Sequence, residues 1–209
     1  MMDIRKKFWE NSQILKSFET RATSEYITNV LDDFIKKDPE IKVLDIGCGA
    51  GRYTRYLHKA KVSVIGLDRH LDMARSLIRE NIPFVKADMD AIPFLNNTFN
   101  LILSVGVLHN ALSFEEFRRS VFEISRLLVK NGYCLCSIFT SDIISNDLKM
   151  IEKNLFLILN DLPMLLLSKE QIDDVFFENN LSKVRIVNEH VTDVGTGNRY
   201  VYTVLFQKQ

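Results

Sequence analysis

Apolar positions follow a helical rhythm at the start of the chain and then change period. Residues 3–37 are mostly polar, with Ile27, Val30, Leu31, Phe34 and Ile35 on one helical face, a pattern that predicts two helices. Asp38-Pro39 stops the second, because the residue before a proline is driven out of helical backbone. Short apolar runs then alternate with amphipathic stretches. Residues 41–46, 62–67, 83–86, 99–105 and 133–138 read as strands, and 52–59, 71–80 and 114–130 as helices between them. Strands apolar on both faces, separated by helices, predict a parallel sheet covered on both sides.

The helix from 114 carries its own punctuation. Ser113 and Glu116 suggest a capping box, Phe114, Phe117, Val121, Ile124 and Leu128 share a face, and Asn131-Gly132 suggests the stop. Residues 140–167 read as an irregular, apolar segment, followed by a helix capped by Ser168 and Gln171. Two closing strands, 183–191 and 199–207, are joined by a Gly-containing seven-residue connection that suits an antiparallel pair. The expected architecture is one Rossmann-like, doubly wound α/β domain, mostly parallel with a last antiparallel strand. Residues 1–39 form a helical cap, 40–140 the core, 141–168 a lid insertion, and 169–209 the closing helix and hairpin.

Composition narrows the partners. In 209 residues, 27 basic side chains balance 27 acidic ones, 46% of residues are hydrophobic and 26% charged. That usage fits one globular domain. A neutral chain generates no long-range field to gather nucleic acid or anionic membrane. Cys134 and Cys136 alternate on one strand face and Cys48 is remote from them, so neither a disulfide framework nor a metal site is expected. The start lacks the apolar core of a signal peptide, and residues 155–167 are too short to span a bilayer. A soluble, cytoplasmic monomer or homodimer is expected.

The chemistry concentrates in Val43-Leu44-Asp45-Ile46-Gly47-Cys48-Gly49-Ala50-Gly51-Arg52, a strand that enters a glycine-rich turn and then a helix. Such a turn lets backbone approach a ligand closely and offers unpaired amides at the helix start, although turn glycines also serve structure alone. A dinucleotide loop would read G-x-G-x-x-G, but here the third glycine comes one residue early and Arg52 follows it. Asp68 ends the next strand, 21 residues past Gly47. Its carboxylate can accept both hydroxyls of a ribose. A nucleoside without a pyrophosphate fits this spacing better than NAD.

With Asp45–Gly51, Val64-Ile65-Gly66-Leu67-Asp68, Ala87-Asp88-Met89 and Phe99–Val105 in that order, followed by Val107-Leu108-His109-Asn110, residues 40–140 resemble the class I S-adenosylmethionine-dependent methyltransferases, in particular their small-molecule methyltransferase domains. The resemblance implies that Asp45 and the Gly47, Cys48, Gly49 and Gly51 backbone hold the methionine part of S-adenosylmethionine. It implies that Asp68 binds the ribose, with Arg69, His70 and Met73 beside the adenine, Asp88 and Met89 at the ring edge, and Ser104 and Val105 along the sulfonium. Asn100 stands where the family usually has an acid, which touches packing and not catalysis.

Other residues carry two readings each. His109 would be a general base or would orient the acceptor, unless it is a loop histidine bonded to backbone. Arg21 could pair the cofactor's carboxylate or be a solvated helix charge. Trp9 and Tyr53 could cover the donor or simply pack. Asn110, Phe139, Asp193, Asn198 and Arg199 are candidates for acceptor contact, with turn chemistry a rival account of the hairpin residues. The activity implied is methyl transfer from S-adenosylmethionine, leaving S-adenosylhomocysteine, to a small metabolite. The other class of function is a non-catalytic module that binds either nucleoside and engages a protein partner.

Overall fold

The computed structural model describes residues 8, 9, 11–158, 162–194 and 197–209, the side chains of 12–15 excepted. Two helices, α1 (Ser12–Glu19) and α2 (Glu25–Lys37), lead into β1 (Lys42–Ile46), α3 (Arg52–Lys59), β2 (Ser63–Asp68), α4 (Arg75–Arg79) and β3 (Phe84–Lys86). Then come β4 (Phe99–Val105), a 3-10 turn Leu108–Asn110, α5 (Phe114–Leu127) and β5 (Leu128–Thr140). Three short strands follow, β6 (Lys149–Glu152), β7 (Leu155–Ile158) and β8 (Leu162–Leu165), and the chain closes with α6 (Lys169–Glu178), β9 (Leu181–Asp193) and β10 (Asn198–Lys208).

The main sheet has seven strands in the order β3-β2-β1-β4-β5-β10-β9. Pairings from β3 across to β5 are parallel, and β10 runs antiparallel to both β5 and β9. The strand order reverses between β1 and β4, and ligands of open α/β sheets bind at the carboxyl ends beside such a reversal. Alternation along the strands builds the two cores. Ile102, Cys134, Cys136, Val204 and Phe206 face α5 and α6, whereas Leu101, Leu103, Leu135 and Leu205 face α2 and α3. Both strand cysteines therefore lie on one face, reduced and buried.

Several boundaries differ from the sequence reading. α4 spans only Arg75–Arg79, with turns before it. α5 stops at Leu127, and Asn131-Gly132 falls inside β5, where Asn131 takes a φ of 63° at a register shift in the β4–β5 pairing. The Ser113 hydroxyl does accept the Glu116 N–H, but the Glu116 carboxylate accepts from Leu112 instead of completing the box. Ser168 and Gln171 form the full reciprocal box.

The largest difference is the segment after β5. It is a three-stranded antiparallel sheet and not an irregular stretch, because alternate residues Phe156, Ile158, Leu162 and Met164 make a small core of their own with Leu166. Its ends are tied where Ser141 N–H donates to the Leu167 carbonyl at 2.9 Å. Asn100 accepts the Lys42 N–H at 3.0 Å, far from the carboxyl end, in a neutral packing role. No helix among the described residues is long and apolar enough to cross a membrane.

Candidate active site

The turn after β1 is shaped by its glycines. Gly47, Gly49 and Gly51 take φ values of 63°, 54° and 82°, the left-handed region that side chains disfavour. A Cβ on Gly47 would sit 2.2 Å from Val107 Cγ2, and one on Gly51 would sit 2.2 Å from Leu77 Cδ2. Gly49 differs, since its nearest neighbour would be the end of the Met73 side chain at 3.4 Å. Two of the three glycines are thus required by packing as well as by backbone. Between them, burial pushes the Cys48 thiol upward, so it is a filler and not a nucleophile.

Asp68 stitches this turn to the next strand. Its Oδ2 accepts the Gly49 N–H at 2.9 Å and its Oδ1 accepts the His70 N–H at 2.8 Å. Burial raises its pKa against those two bonds. Asp45 is 3% exposed at the base of the turn and accepts the Thr54 hydroxyl at 2.6 Å. Burial lifts it to about 6, with Thr54 and Arg52 pulling the other way.

A cleft enclosing about 1020 Å³ of empty space, part of it open to solvent, lies at the carboxyl ends of β1, β2 and β4. Its floor is Asp45, Gly47, Cys48 and Gly49; one wall is Asp68, Arg69, His70 and Met73; the other is Asp88, Met89 and Val105. Arg69 Nε holds Asp88 Oδ1 at 2.8 Å across the far end. The roof comes from the N-terminal segment, where Trp9 packs edge-on against Phe8 and Phe18, with ring centroids at 5.0 and 5.6 Å. Arg21 and Arg52 bring two guanidinium groups to the Asp45 end, Arg52 lying 4.5 Å over the Tyr53 ring. The Tyr53 hydroxyl accepts the Ser24 N–H at 3.2 Å.

Not every candidate reaches the cleft. Asn110 lines it, while His109 is buried beside it, its ring stacked on Phe139 at 4.4 Å and its Nδ1 accepting the Phe139 N–H at 3.2 Å. Gly51 lies below the lining, and Ser104 is fully buried with its hydroxyl unpartnered. Asp193 and Asn198 are exposed and outside the lining.

Arg199 is the clearest departure from an acceptor-contact reading. It is 0% exposed, with Nη2 at 2.5 Å from Asp147 Oδ2 and Nη1 at 2.9 Å from the Ser145 hydroxyl. It pins the strand that opens β10 to the loop leading into β6. Gly195 and Thr196 of the hairpin connection lie outside the described residues. The apolar side chains of the inserted sheet also stay out of the lining: Phe156, Ile158, Leu162 and Met164 turn into their own core against Phe8, Phe139 and Leu148, while Leu155 and Leu165 join the main core.

Sequence reasoning did not single out Arg52 as a cleft group, nor Gly106, Val107 or Glu116, all of which line it. Arg52 had a visible signal, standing where a dinucleotide loop wants glycine. Glu116 read as a cap. Among the described residues no cluster of three or more His, Cys, Asp or Glu side chains is placed to hold a metal ion.

Residues 44–136 match the family model described as a methyltransferase domain. Over that segment the chain carries the sequence pattern of a methyltransferase domain. An uncharacterized protein of Methanocaldococcus jannaschii is 34% identical over 150 residues, 68% of this chain and 54% of that protein. The tRNA (carboxymethyluridine(34)-5-O)-methyltransferase of Schizosaccharomyces pombe is 31% identical over 134 residues, 61% of this chain and 57% of that protein. This chain therefore spans little more than half the length of either relative. In fold it is similar to the 1,6-didemethyltoxoflavin-N1-methyltransferase of Burkholderia thailandensis, solved with bound 1,6-didemethyltoxoflavin and S-adenosylhomocysteine. The TM-score there is 0.69 at 15% identity, covering 99% of this chain and 88% of that one.

Proposed function

We propose that this protein transfers a methyl group from S-adenosylmethionine to a small-molecule acceptor. The observation that carries the cofactor reading is the convergence of four separated sequence segments on one cleft, with Asp68 ready to exchange backbone N–H partners for ribose hydroxyls. The residues fit the group. Gly47 and Gly49 leave room where side chains would intrude, Asp45 offers a buried carboxylate to an ammonium, and Arg21 and Arg52 offer donors to a carboxylate. Met73 and Met89 give soft, apolar surface for a purine.

S-adenosylmethionine supplies an electrophilic methyl on a sulfonium. The protein's part is alignment and exclusion of water; effective molarity contributes about 7–11 kcal/mol to such steps. Trp9 and Phe18 cover the cleft, and Val105, Gly106 and Val107 form the edge from which an acceptor would approach.

A small acceptor is favoured by the balance of 27 basic against 27 acidic residues and by a concave, roofed site. The Schizosaccharomyces relative is named for tRNA and the toxoflavin-precursor enzyme for a small molecule, so the acceptor has to be tested directly. Calorimetry with S-adenosylhomocysteine should give one site per chain, weakened at least tenfold in Asp68→Ala; no binding would end the cofactor reading. Incubating a cell extract with methyl-labelled donor should place label in the low-molecular-weight fraction. Label in RNA or protein would overturn the small-molecule reading, and binding without any labelled product would favour the non-catalytic module.

A further inference from the structure

The first turn of α3 holds the floor of the cleft and the hinge of its roof at once. Arg52 Nη1 donates to the Ala22 carbonyl at 3.2 Å, the Tyr53 hydroxyl accepts the Ser24 N–H at 3.2 Å, and the Thr54 hydroxyl donates to Asp45 at 2.6 Å. Ala22 and Ser24 lie in the linker between α1, which carries the roof residue Phe18, and α2. Beyond the linker, Ile27, Val30 and Leu31 fix α2 in a main core. On the other side Trp9 and Phe18 belong to neither main core, and Phe8 reaches only the small core of the inserted sheet. A segment held by so few buried contacts opens at low free-energy cost, and a ligand shifts such an equilibrium only through contacts that differ between the open and closed states.

Two cations supply that difference. Arg52 lines the cleft from the floor and also touches the hinge, and the bond to Ala22 leaves further N–H donors on its guanidinium. Arg21 lines the same end from the roof side, its guanidinium 5.3 Å over the Phe18 ring. Each is near enough to act on the other: burial lowers the Arg52 pKa and the Arg21 charge adds to that, while Tyr53 and Asp45 pull the other way. Two cations on opposite sides of a cleft repel each other, and both are drawn to one carboxylate placed between them. Asp45, beside Arg52 in the floor, gives the same end of the cleft an anion, so its charge pattern complements an amino-acid zwitterion.

We infer that the amino-acid end of the bound nucleoside, and not its adenosine, fastens the roof. Its carboxylate bridges Arg52 of the floor and Arg21 of the roof while its ammonium meets Asp45. The cleft then closes on S-adenosylmethionine or S-adenosylhomocysteine and stays open on a nucleoside that lacks the amino-acid part. Arg21 and Arg52 are positioning residues: they select a ligand with its amino-acid end intact, set the roof over it, and take no part in bond exchange. This inference rests on the cofactor reading above.

Two probes separate the adenosine from the amino-acid end. S-adenosylhomocysteine carries both, whereas methylthioadenosine keeps the adenine, ribose and thioether sulfur but has neither carboxylate nor ammonium. Affinities come from calorimetry, and the roof is read by hydrogen–deuterium exchange over residues 8–24 with each probe at saturation. S-adenosylhomocysteine should slow exchange there about tenfold or more, and methylthioadenosine should leave it within about twofold of the free protein. Arg21→Met and Arg52→Met should each weaken S-adenosylhomocysteine about tenfold or more and remove its protection of the roof. Methylthioadenosine should bind both variants within about threefold of wild type, which also shows that they are folded. Arg21 is exposed, so its variant decides the matter if Arg52→Met unfolds. Equal protection by the two probes, or protection by S-adenosylhomocysteine that survives the substitutions, would overturn the inference and leave the cofactor reading intact. Failure of the wild-type protein to bind either probe would instead end that reading.

Discussion

Asp45 is the group whose protonation should be readable in cofactor affinity. It is 3% exposed, and burial lifts its pKa from 3.8 to about 6. The groups acting on it are Thr54 through a hydrogen bond, Arg52 as an attracting charge and Asp68 as a repelling one. If its carboxylate receives the methionine ammonium, only the ionised form binds. At pH 7.5 a group with a pKa near 6 is about 97% ionised and at pH 5 about 9%, so affinity should fall roughly tenfold between them. An ordinary aspartate would stay mostly ionised throughout and give a flat line.

The stability term runs the other way. The folded pKa is raised, so the folded chain holds an extra proton between 3.8 and 6. Asp45 then costs the ligand-free protein up to about 3 kcal/mol as pH rises through that window. Trp9, the single tryptophan, lines the cleft and reports binding by its fluorescence. Calorimetry at each pH gives an affinity that does not depend on the indole's surroundings, which include the His70 ring with its centroid 6.5 Å away. Asp45→Asn should weaken binding at pH 7.5 and flatten the profile. Equal affinity for S-adenosylhomocysteine at pH 5 and 7.5, or an Asn variant that keeps the slope, would refute the reasoning.

Two further outcomes concern the scaffold. Gly51→Ala should lower stability by about 2–4 kcal/mol, joining left-handed backbone strain to a clash with Leu77, while Gly49→Ala, facing only a flexible methionine end, should cost about 1 kcal/mol; equal melting temperatures for the two would contradict the packing account. Arg199→Ala strands Asp147 and Ser145 and should destabilise the protein by about 3 kcal/mol, most of it recovered in the Arg199→Met/Asp147→Leu double variant. Denaturant midpoints measure both, and additive losses in the double variant would contradict the pairing.

The parallel half of the fold was legible because its signals are local. Alternation put Cys134 and Cys136 on one face of their strand, and glycine spacing marked the turn whose positive φ values demand it. Asp68 followed from its spacing past Gly47, and the rest of that cleft wall, Arg69, His70 and Met73, from the family resemblance. Residues 140–167 were misread because proline, asparagine and aspartate interrupt the period-two pattern over strands of only four residues, leaving little alternation to see. Arg199 was misassigned for a different reason. A polar residue at a hairpin tip looks solvent-facing until tertiary structure supplies Asp147, 52 positions away. The burial of His109 depends on a backbone amide of β5 finding an imidazole in the Leu108–Asn110 turn, which no spacing rule encodes.

The roof of the cleft has a consequence for how the molecule is completed. Trp9 and Phe8 belong to the leading end of the chain, but Trp9 meets His70 and Phe8 packs on the core of the inserted sheet, which includes Phe156 and Met164. Joining these parts closes loops of very different span, the longer taking in most of the chain, and such closures are slow because their entropy is lost before any contact repays it. The glycine turn and its strands can therefore assemble while the entrance is still uncovered. Nucleoside arriving at that stage meets a formed floor and an open top, and covering the entrance becomes the step that ligand and late folding share.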